Sequence, residues 1–376
     1  MKFDFDSIIN RKGTNSIKWD TVPEGYIPLF IADMDFKSPP AVIKSIEKRT
    51  THGVFGYTNP GEEVYDAIFK WFYKEYGFQL KKSWITWLPG VVPGLRVASA
   101  MGQGDVITTT PNYSMLLSAP VKAGRNRIDS PLKLGSKGYE MDFEDLERRI
   151  TPETKVFLLC NPHNPVGRVY TKEELLKAAE FCNRHDLILV SDEIHCELIF
   201  DRPHVPIVTT GDIALQRSIT LMSPGKTYNI PGVPIAFAII PNRELKKRFE
   251  AAGYAMPHPG VLNYEVCRAA YGDSEMWKKE LINYLRNNRD YIEKELSSRF
   301  PDVIYTHVEG TYLTWIDFRP LGIENPFQFF YEKAKVVFSN GKDFGQDGFV
   351  RLNFGCSRQL LKEAFHRIED AVREYC

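Results

Sequence analysis

The chain has 376 residues, and its 48 Lys and Arg balance its 48 Asp and Glu, so the formal net charge is zero. A neutral chain has no net positive charge to attract nucleic acid or an anionic membrane, and no apolar stretch is long enough to span a bilayer. The length predicts about two domains, each with a sizeable core.

The six cysteines are scattered and include no Cys-x-x-Cys pair. This spacing argues against a disulfide framework and against a zinc site, so we expect no metal and reduced thiols in the cytoplasm. The acidic Asp4 and Asp6 also argue against a signal peptide at the first residues.

The N-terminal part predicts a short strand and turn over residues 28–36, then helices over 41–50 and 64–76. The second helix has apolar residues at helical spacing and ends at Gly77, as a helix C-terminus often does. The segment between the helices, residues 52–60, is rich in aromatic and turn residues and has neither a helical nor a strand period.

A glycine-rich turn follows the strand predicted at 84–88. The turn, Pro89-Gly-Val-Val-Pro-Gly-Leu95, leads into a helix to about residue 101. This order presents free backbone N–H groups and a positive helix end, which suit an anion such as phosphate. The glycines form neither a GxGxxG nor a Walker A pattern, so a nucleotide is disfavoured.

Continuous apolar strands at 155–160, 187–191 and 218–222 predict a buried, mostly parallel sheet, with a further strand at 105–109. The capping box Thr171-Lys-Glu-Glu174 starts the helix between the first two and makes them a βαβ unit. Asn164, Asp192 and Lys226 follow the three strands. Because the carboxyl ends of parallel strands lie at one edge of a sheet, these side chains can converge there.

Past residue 241 the pattern becomes helical, at 245–252, 261–271 and 275–300. Strands at 310–317 and 348–355 and a terminal helix from about 359 complete the chain. This mixture predicts a smaller α+β domain, against which the first residues fold. We therefore predict a large α/β domain over residues 46–265 and a small domain formed by residues 1–45 and 266–376.

Two sets of motifs connect the chain to a known family. The first set is Asn161-Pro-His-Asn-Pro-Val-Gly167, Ser223 followed by Lys226, and Arg351-Leu-Asn-Phe-Gly355. The second is Ile31-Ala-Asp-Met-Asp-Phe36, His52-Gly-Val-Phe-Gly-Tyr57, Ser191-Asp-Glu-Ile-His195 and Thr311-Tyr-Leu313. With them the chain resembles the pyridoxal phosphate (PLP) enzymes of fold type I, the aspartate aminotransferase superfamily. Within it, the chain is most similar to the MalY/PatB-type cystathionine β-lyases, or C–S lyases.

The resemblance implies that Lys226 binds PLP covalently and later moves the Cα proton of the substrate. It implies that Asp192 pairs with the pyridine nitrogen, Asn164 with the 3′ oxygen, and that Tyr113 stacks on the ring. The phosphate is expected to be held by Val91, Val92 and Ser223.

The resemblance also assigns residues to the substrate and to a partner. Arg351 would bind the substrate α-carboxylate as a bidentate fork, with Ala32 and Asn164 beside the substrate. Tyr57, a further catalytic candidate, would reach the phosphate from the neighbouring subunit, which implies a homodimer with shared active sites.

The chain departs from the superfamily pattern at the cofactor. His195 stands where many members have Tyr, and its role is open between contact with the cofactor oxygen and support of the pocket. The second small hydroxyl residue before the lysine is replaced by Gly225, and Val233-Pro-Ile-Ala236 lacks the usual phosphate-binding Arg. The resemblance therefore implies a less cationic phosphate site.

The expected reaction is α,β-elimination on L-cystathionine or a related cysteine thioether, giving a thiol, ammonia and pyruvate. A class I/II aminotransferase uses the same residues, so transamination stays open as the alternative. A PLP-binding regulatory protein is a third reading, although no basic or DNA-reading segment supports it. The sequence does not identify the thioether or the pathway.

Overall fold

The computed structural model describes residues 3–135 and 138–375. Its helices are α1 (Ile17–Asp20), α2 (Pro40–His52), α3 (Glu62–Tyr76), α4 (Val91–Met101), α5 (Ser114–Lys122), α6 (Phe143–Arg149), α7 (Lys172–Arg184), α8 (Asp212–Arg217), α9 (Arg243–Ala252), α10 (Val261–Asp273), α11 (Glu275–Arg299), α12 (Pro326–Phe329) and α13 (Arg358–Tyr375). Its strands are β1 (Ile27–Pro28), β2 (Ile85–Leu88), β3 (Asp105–Thr110), β4 (Arg127–Pro131), β5 (Lys133–Gly135), β6 (Gly138–Glu140), β7 (Thr154–Cys160), β8 (Ile188–Asp192), β9 (Ser218–Met222), β10 (Ala236–Ile239), β11 (Ile304–Tyr305), β12 (Leu313–Asp317), β13 (Val336–Val337), β14 (Ser339–Asn340) and β15 (Phe349–Asn353).

The main sheet has seven strands in the order β2-β10-β9-β8-β7-β3-β4. Strand β10 runs antiparallel to both of its neighbours, and the remaining pairs are parallel. The predicted, mostly parallel sheet is therefore confirmed. The inner strands β7, β8 and β9 are buried almost throughout, which is why they appear in the sequence as continuous apolar runs.

The local signals in the sequence define several helix ends. Thr171 and Glu174 form the predicted capping box at the start of α7. At the end of α3, Gly77 has φ 65° and its N–H bonds to the Tyr73 carbonyl, a left-handed turn that glycine adopts without steric cost. Both helices thus lie where the sequence predicts them.

A second, antiparallel sheet has the order β11-β12-β15-β14. Strand β15 carries Arg351, which lies opposite Trp315 of β12. The short strand β1 pairs with β13, so the N-terminal segment lies against the C-terminal part of the chain. Of residues 28–36, predicted to form a short strand and a turn, only Pro28 lies in a strand. From residue 30 onward the segment is irregular, and several of its backbone carbonyls accept from side chains such as that of Asn353.

One apolar core cluster includes Phe237 of the main sheet together with Leu313 and Leu352 of the second sheet. The predicted boundaries after residues 45 and 265 fall inside α2 and α10, two helices that pack on each other. The division into two domains therefore stays a prediction. Within residues 3–135 and 138–375, no helix is both long and apolar enough to cross a membrane.

Candidate active site

Three neighbouring parallel strands deliver polar residues to one cavity. Strand β8 ends in Asp192, β7 is followed by the segment with Asn164, and β9 is followed by Lys226. All three side chains line a cavity of about 860 Å³. The convergence predicted from the strand order is therefore found in the structure.

Lys226 lies in the turn after β9, with its amine enclosed by the cavity walls. Its Nζ donates a hydrogen bond of 2.6 Å to the Ala32 carbonyl, which also accepts one from the Tyr312 hydroxyl at 2.9 Å. Burial, assisted by the positive charge of Arg351, lowers the pKa of Lys226 to about 8. About a tenth of the amine is therefore uncharged at pH 7, far more than for an exposed lysine, and the uncharged amine is the form that acts as a nucleophile or base.

Asp192 is a buried carboxyl group with little to stabilise its charge. It is 3% exposed, and the Ile194 N–H donates to it at 3.2 Å. Burial raises the pKa of Asp192 to about 7, against the opposing effect of the nearby Lys226 charge. A carboxyl group in this setting favours a cationic N–H partner, which would lower its pKa again.

Arg351 lies at the second wall of the cavity and is 5% exposed. Its Nη1 donates to Asn164 Oδ1 at 3.0 Å, its Nη2 donates to the Phe30 carbonyl at 2.7 Å, and its guanidinium lies over the Phe344 ring. Burial lowers the pKa of Arg351 to about 10, so the group stays cationic at neutral pH. Its Nε is buried without a hydrogen-bond partner among the described residues. A carboxylate in the cavity would satisfy this donor.

His195 and Tyr113 line the same cavity. Burial, with the charges of Lys226 and Arg351, moves the pKa of His195 well below its usual range, so the imidazole is neutral. Its Nδ1 is buried and has no partner within the described part of the chain. Burial and the neighbouring Asp192 charge raise the pKa of Tyr113, which keeps the phenol protonated. Both side chains can therefore serve as neutral hydrogen-bonding groups.

The start of α4 supplies the anion-binding feature that the glycine turn predicts. Val91 and Val92 open this helix beside the cavity, and no side chain caps it. The first backbone N–H groups of a helix have no partner within the helix, so they are free to bind an anion. Ser223 also lines the cavity, but its hydroxyl donates to the Ile235 carbonyl at 2.6 Å and accepts from the Gly225 N–H.

Every candidate residue from the sequence lines this cavity except Tyr57. Tyr57 projects from the surface with a relative exposure of 113%, next to Val54 and Phe55 at 61% and 55%. A single chain therefore does not bring Tyr57 to the site. Its predicted role, from the neighbouring subunit, stays a prediction.

The structure adds a feature that the sequence did not reveal. Residues 30–36, the carbonyl segment, are held by side chains that donate to the backbone carbonyls. The donors include Lys226, Arg351, Tyr312, Ser339, Asn229 and Asn353. Two of these donors are the cations of the candidate site. Arg351 and Asn353 are two residues apart along β15 and therefore lie on the same face of the strand. This spacing is the one local signal in the sequence that could have predicted two of the donors.

The parallel sheet, the lysine after β9 and the aspartate at the end of β8 place the fold in PLP fold type I. The chain belongs to the aminotransferase class I and II family, whose model matches residues 24–368. It is similar to cystathionine beta-lyase PatB of Bacillus subtilis, with 36% identity over 98% of this chain and 99% of the relative.

Two solved structures have the same fold over their full length. A crystal structure of OvoB superposes with a TM-score of 0.95 and 38% identity, covering 98% of this chain and 99% of that one. Cystalysin from Treponema denticola, whose structure contains pyridoxal 5′-phosphate, has a TM-score of 0.95 and 33% identity, with all of both chains covered. 

Proposed function

We propose that the protein is a PLP-dependent C–S β-lyase that cleaves L-cystathionine or a related cysteine thioether to a thiol, ammonia and pyruvate. The observation that carries the proposal is the meeting of Lys226, Asp192 and Arg351 in one cavity. The similarity to a cystathionine beta-lyase over nearly the whole chain supports the same reaction.

The unsatisfied groups of the cavity fit PLP. Asp192 has no cationic hydrogen-bond donor among the described residues, and the pyridine nitrogen would supply one. The uncapped start of α4 offers N–H groups to the phosphate, and Lys226 offers an amine for covalent attachment. Tyr113 would lie against the ring and Asn164 beside its 3′ oxygen. When bound, PLP supplies an electron-withdrawing ring that stabilises negative charge developing at Cα of an amino acid.

The chain's own residues account for orientation and proton transfer. Arg351 binds the α-carboxylate, and its contact with the Phe30 carbonyl fixes the direction of the guanidinium. Lys226 accepts the proton from Cα, for which a pKa near 8 is well matched. The Cβ–S bond then breaks, both electrons leave on sulfur, and the thiolate takes up a proton. Water replaces the nitrogen, which gives pyruvate and ammonia.

We also propose a homodimer with shared active sites. Val54, Phe55 and Tyr57 form an exposed apolar and aromatic loop, which is unfavourable in water and is explained if a second copy covers it. In that arrangement Tyr57 reaches the phosphate of the neighbouring site. The Tyr57 hydroxyl would give the phosphate a hydrogen bond at a site that lacks the usual phosphate-binding Arg after the lysine.

We place the protein in the cytoplasm. Five of its cysteines, Cys160, Cys182, Cys196, Cys267 and Cys356, are buried and unpaired, and Cys376 lies outside the described residues. Buried free thiols suit a reducing compartment. We expect alkylation of freshly lysed cells to label these thiols after denaturation without added reductant.

The proposed function is tested by incubating the purified holoenzyme with L-cystathionine, and separately with S-benzyl-L-cysteine, in the absence of any keto acid. A lyase releases pyruvate, ammonia and thiol in equal amounts. Amino-group transfer without thiol release would instead favour the aminotransferase, which uses the same residues.

A further inference from the structure

The cavity has a buried floor and an exposed mouth, and the two differ in chemistry. Lys226, Asp192 and Arg351 form the floor, where the amino-acid end of a substrate is bound. Lining residues that are themselves exposed, such as Met115 and Asp343, mark where the cavity meets solvent. The substituent on sulfur points away from the floor. It therefore contacts the remaining lining residues, which select among substituents.

Those remaining residues are mostly apolar or aromatic. Tyr331 lies with its ring centroid 5.0 Å from that of Tyr26 and stacks on Phe327 at 6.4 Å. Val22 and Phe338 add buried apolar surface. Such a wall favours alkyl or aromatic substituents, and aromatic faces also attract cations.

The cationic side chains of the cavity lining lie at its floor, whereas an acidic side chain lies outside the floor. Of the described residues that line the cavity, only Lys226 and Arg351 are Lys or Arg, and both are used at the floor. Asp343 is the acid outside the floor, and it makes no ion pair within residues 3–135 and 138–375. It directly precedes Phe344, whose ring supports the Arg351 guanidinium at 4.6 Å. Among the lining residues of this chain, a negatively charged substituent would thus meet an unpaired carboxylate and no cation beyond the two at the floor.

We propose that Asp343 determines specificity, and that the enzyme prefers cysteine thioethers whose sulfur substituent is apolar or positively charged over those with an anionic substituent. This inference rests on the proposed lyase function. Reversing the sign of one charge near an exposed carboxylate changes binding by about tenfold. The effect should therefore lie mainly in KM rather than in kcat.

The test compares thioethers of matched length and opposite charge by pyruvate release from the holoenzyme. We expect kcat/KM for S-(2-aminoethyl)-L-cysteine to exceed that for S-(2-carboxyethyl)-L-cysteine by about tenfold. S-Benzyl-L-cysteine should also be preferred over the carboxyethyl compound. L-Cystathionine, which has both charges on its distal end, should fall between the two charged substrates.

Two variants separate Asp343 from general effects on the mouth. Asp343→Asn should bring the aminoethyl to carboxyethyl ratio close to one, and Asp343→Lys should reverse it. Asp347→Asn is the matched control, because Asp347 is an exposed acid four residues further on that does not line the cavity. It should leave both the ratio and the activity as they are in the parent enzyme.

The outcomes distinguish this inference from the function on which it rests. If no thioether yields pyruvate, the lyase function itself is wrong. If pyruvate forms but the carboxyethyl compound is cleaved as well as the aminoethyl compound, or if Asp343→Asn leaves the ratio unchanged, the role of Asp343 is overturned and the lyase function stands.

Discussion

Lys18 is a buried cation that holds the carbonyl segment in place. Its side chain is 0% exposed, and its Nζ lies 2.8 Å from Asp35 and 3.8 Å from Asp33. It also donates to the Asp33 carbonyl. Arg11 binds the same two carboxylates, each at 2.7 Å, from a position that is 23% exposed. The segment that carries Ala32 thus depends on a small buried ionic cluster.

Lys18→Met should destabilise the protein strongly. Removing one partner of a buried ion pair costs about 3–5 kcal/mol, because the remaining charge is left uncompensated. Arg11 still contacts both carboxylates, so we expect the lower end, about 3 kcal/mol. With an unfolding entropy of about 2.1 cal/mol/K per residue over 376 residues, this corresponds to a fall in Tm of about 4 °C.

Thermal unfolding of the variant and the parent, both saturated with PLP, measures this effect. Lys37→Met is the control, since Lys37 is exposed just past the same segment and forms no ion pair within the described residues. A fall in Tm below about 1 °C, no larger than that of the control, would refute the role given to Lys18.

Three further predictions concern the site. Borohydride reduction of the holoenzyme followed by peptide mapping should place the pyridoxyl label on Lys226, and Lys226→Ala should lose at least the ~10²–10⁴-fold that a positioned base supplies; a label on another lysine contradicts the assignment. Asp192→Asn should still bind PLP but turn over slowly, because an amide cannot stabilise a protonated pyridine nitrogen; turnover near that of the parent would show that another group does so. Mixing inactive Lys226→Ala dimers with dimers of an inactive Tyr57 variant should regenerate some activity after subunit exchange, and the absence of recovery after confirmed exchange would count against a shared site.

The sequence predicted the parts of the site that follow from strand order. Asp192 ends one continuous apolar run, Asn164 and Lys226 lie in the turns that follow two others, and parallel strands place their carboxyl ends at one edge. Strand order alone does not show which group of a cofactor or substrate each of these side chains binds. Asp192 and Lys226 were assigned roles through the resemblance, and the structure adds their pKa shifts, which depend on burial.

The carbonyl segment could not be predicted, because its bonding partners are distant in the chain. Asn353 binds the Ile31 and Asp33 carbonyls across more than 300 residues, and Asn229 binds those of Met34 and Phe36. Local periodicity contains no information on such contacts, so the sequence predicts only a short strand and a turn over residues 28–36. Tyr57 marks the other limit, since its predicted neighbours belong to a second copy of the chain.

The most direct test of the central claim is to count turnovers on a cysteine thioether without a keto acid, while recording the visible absorbance of the bound cofactor. Elimination leaves PLP at the aldehyde level, so we expect many equivalents of pyruvate and thiol per active site with the absorbance retained. Loss of that absorbance after a single turnover, with recovery only when a keto acid is added, would contradict the lyase function and identify the protein as an aminotransferase.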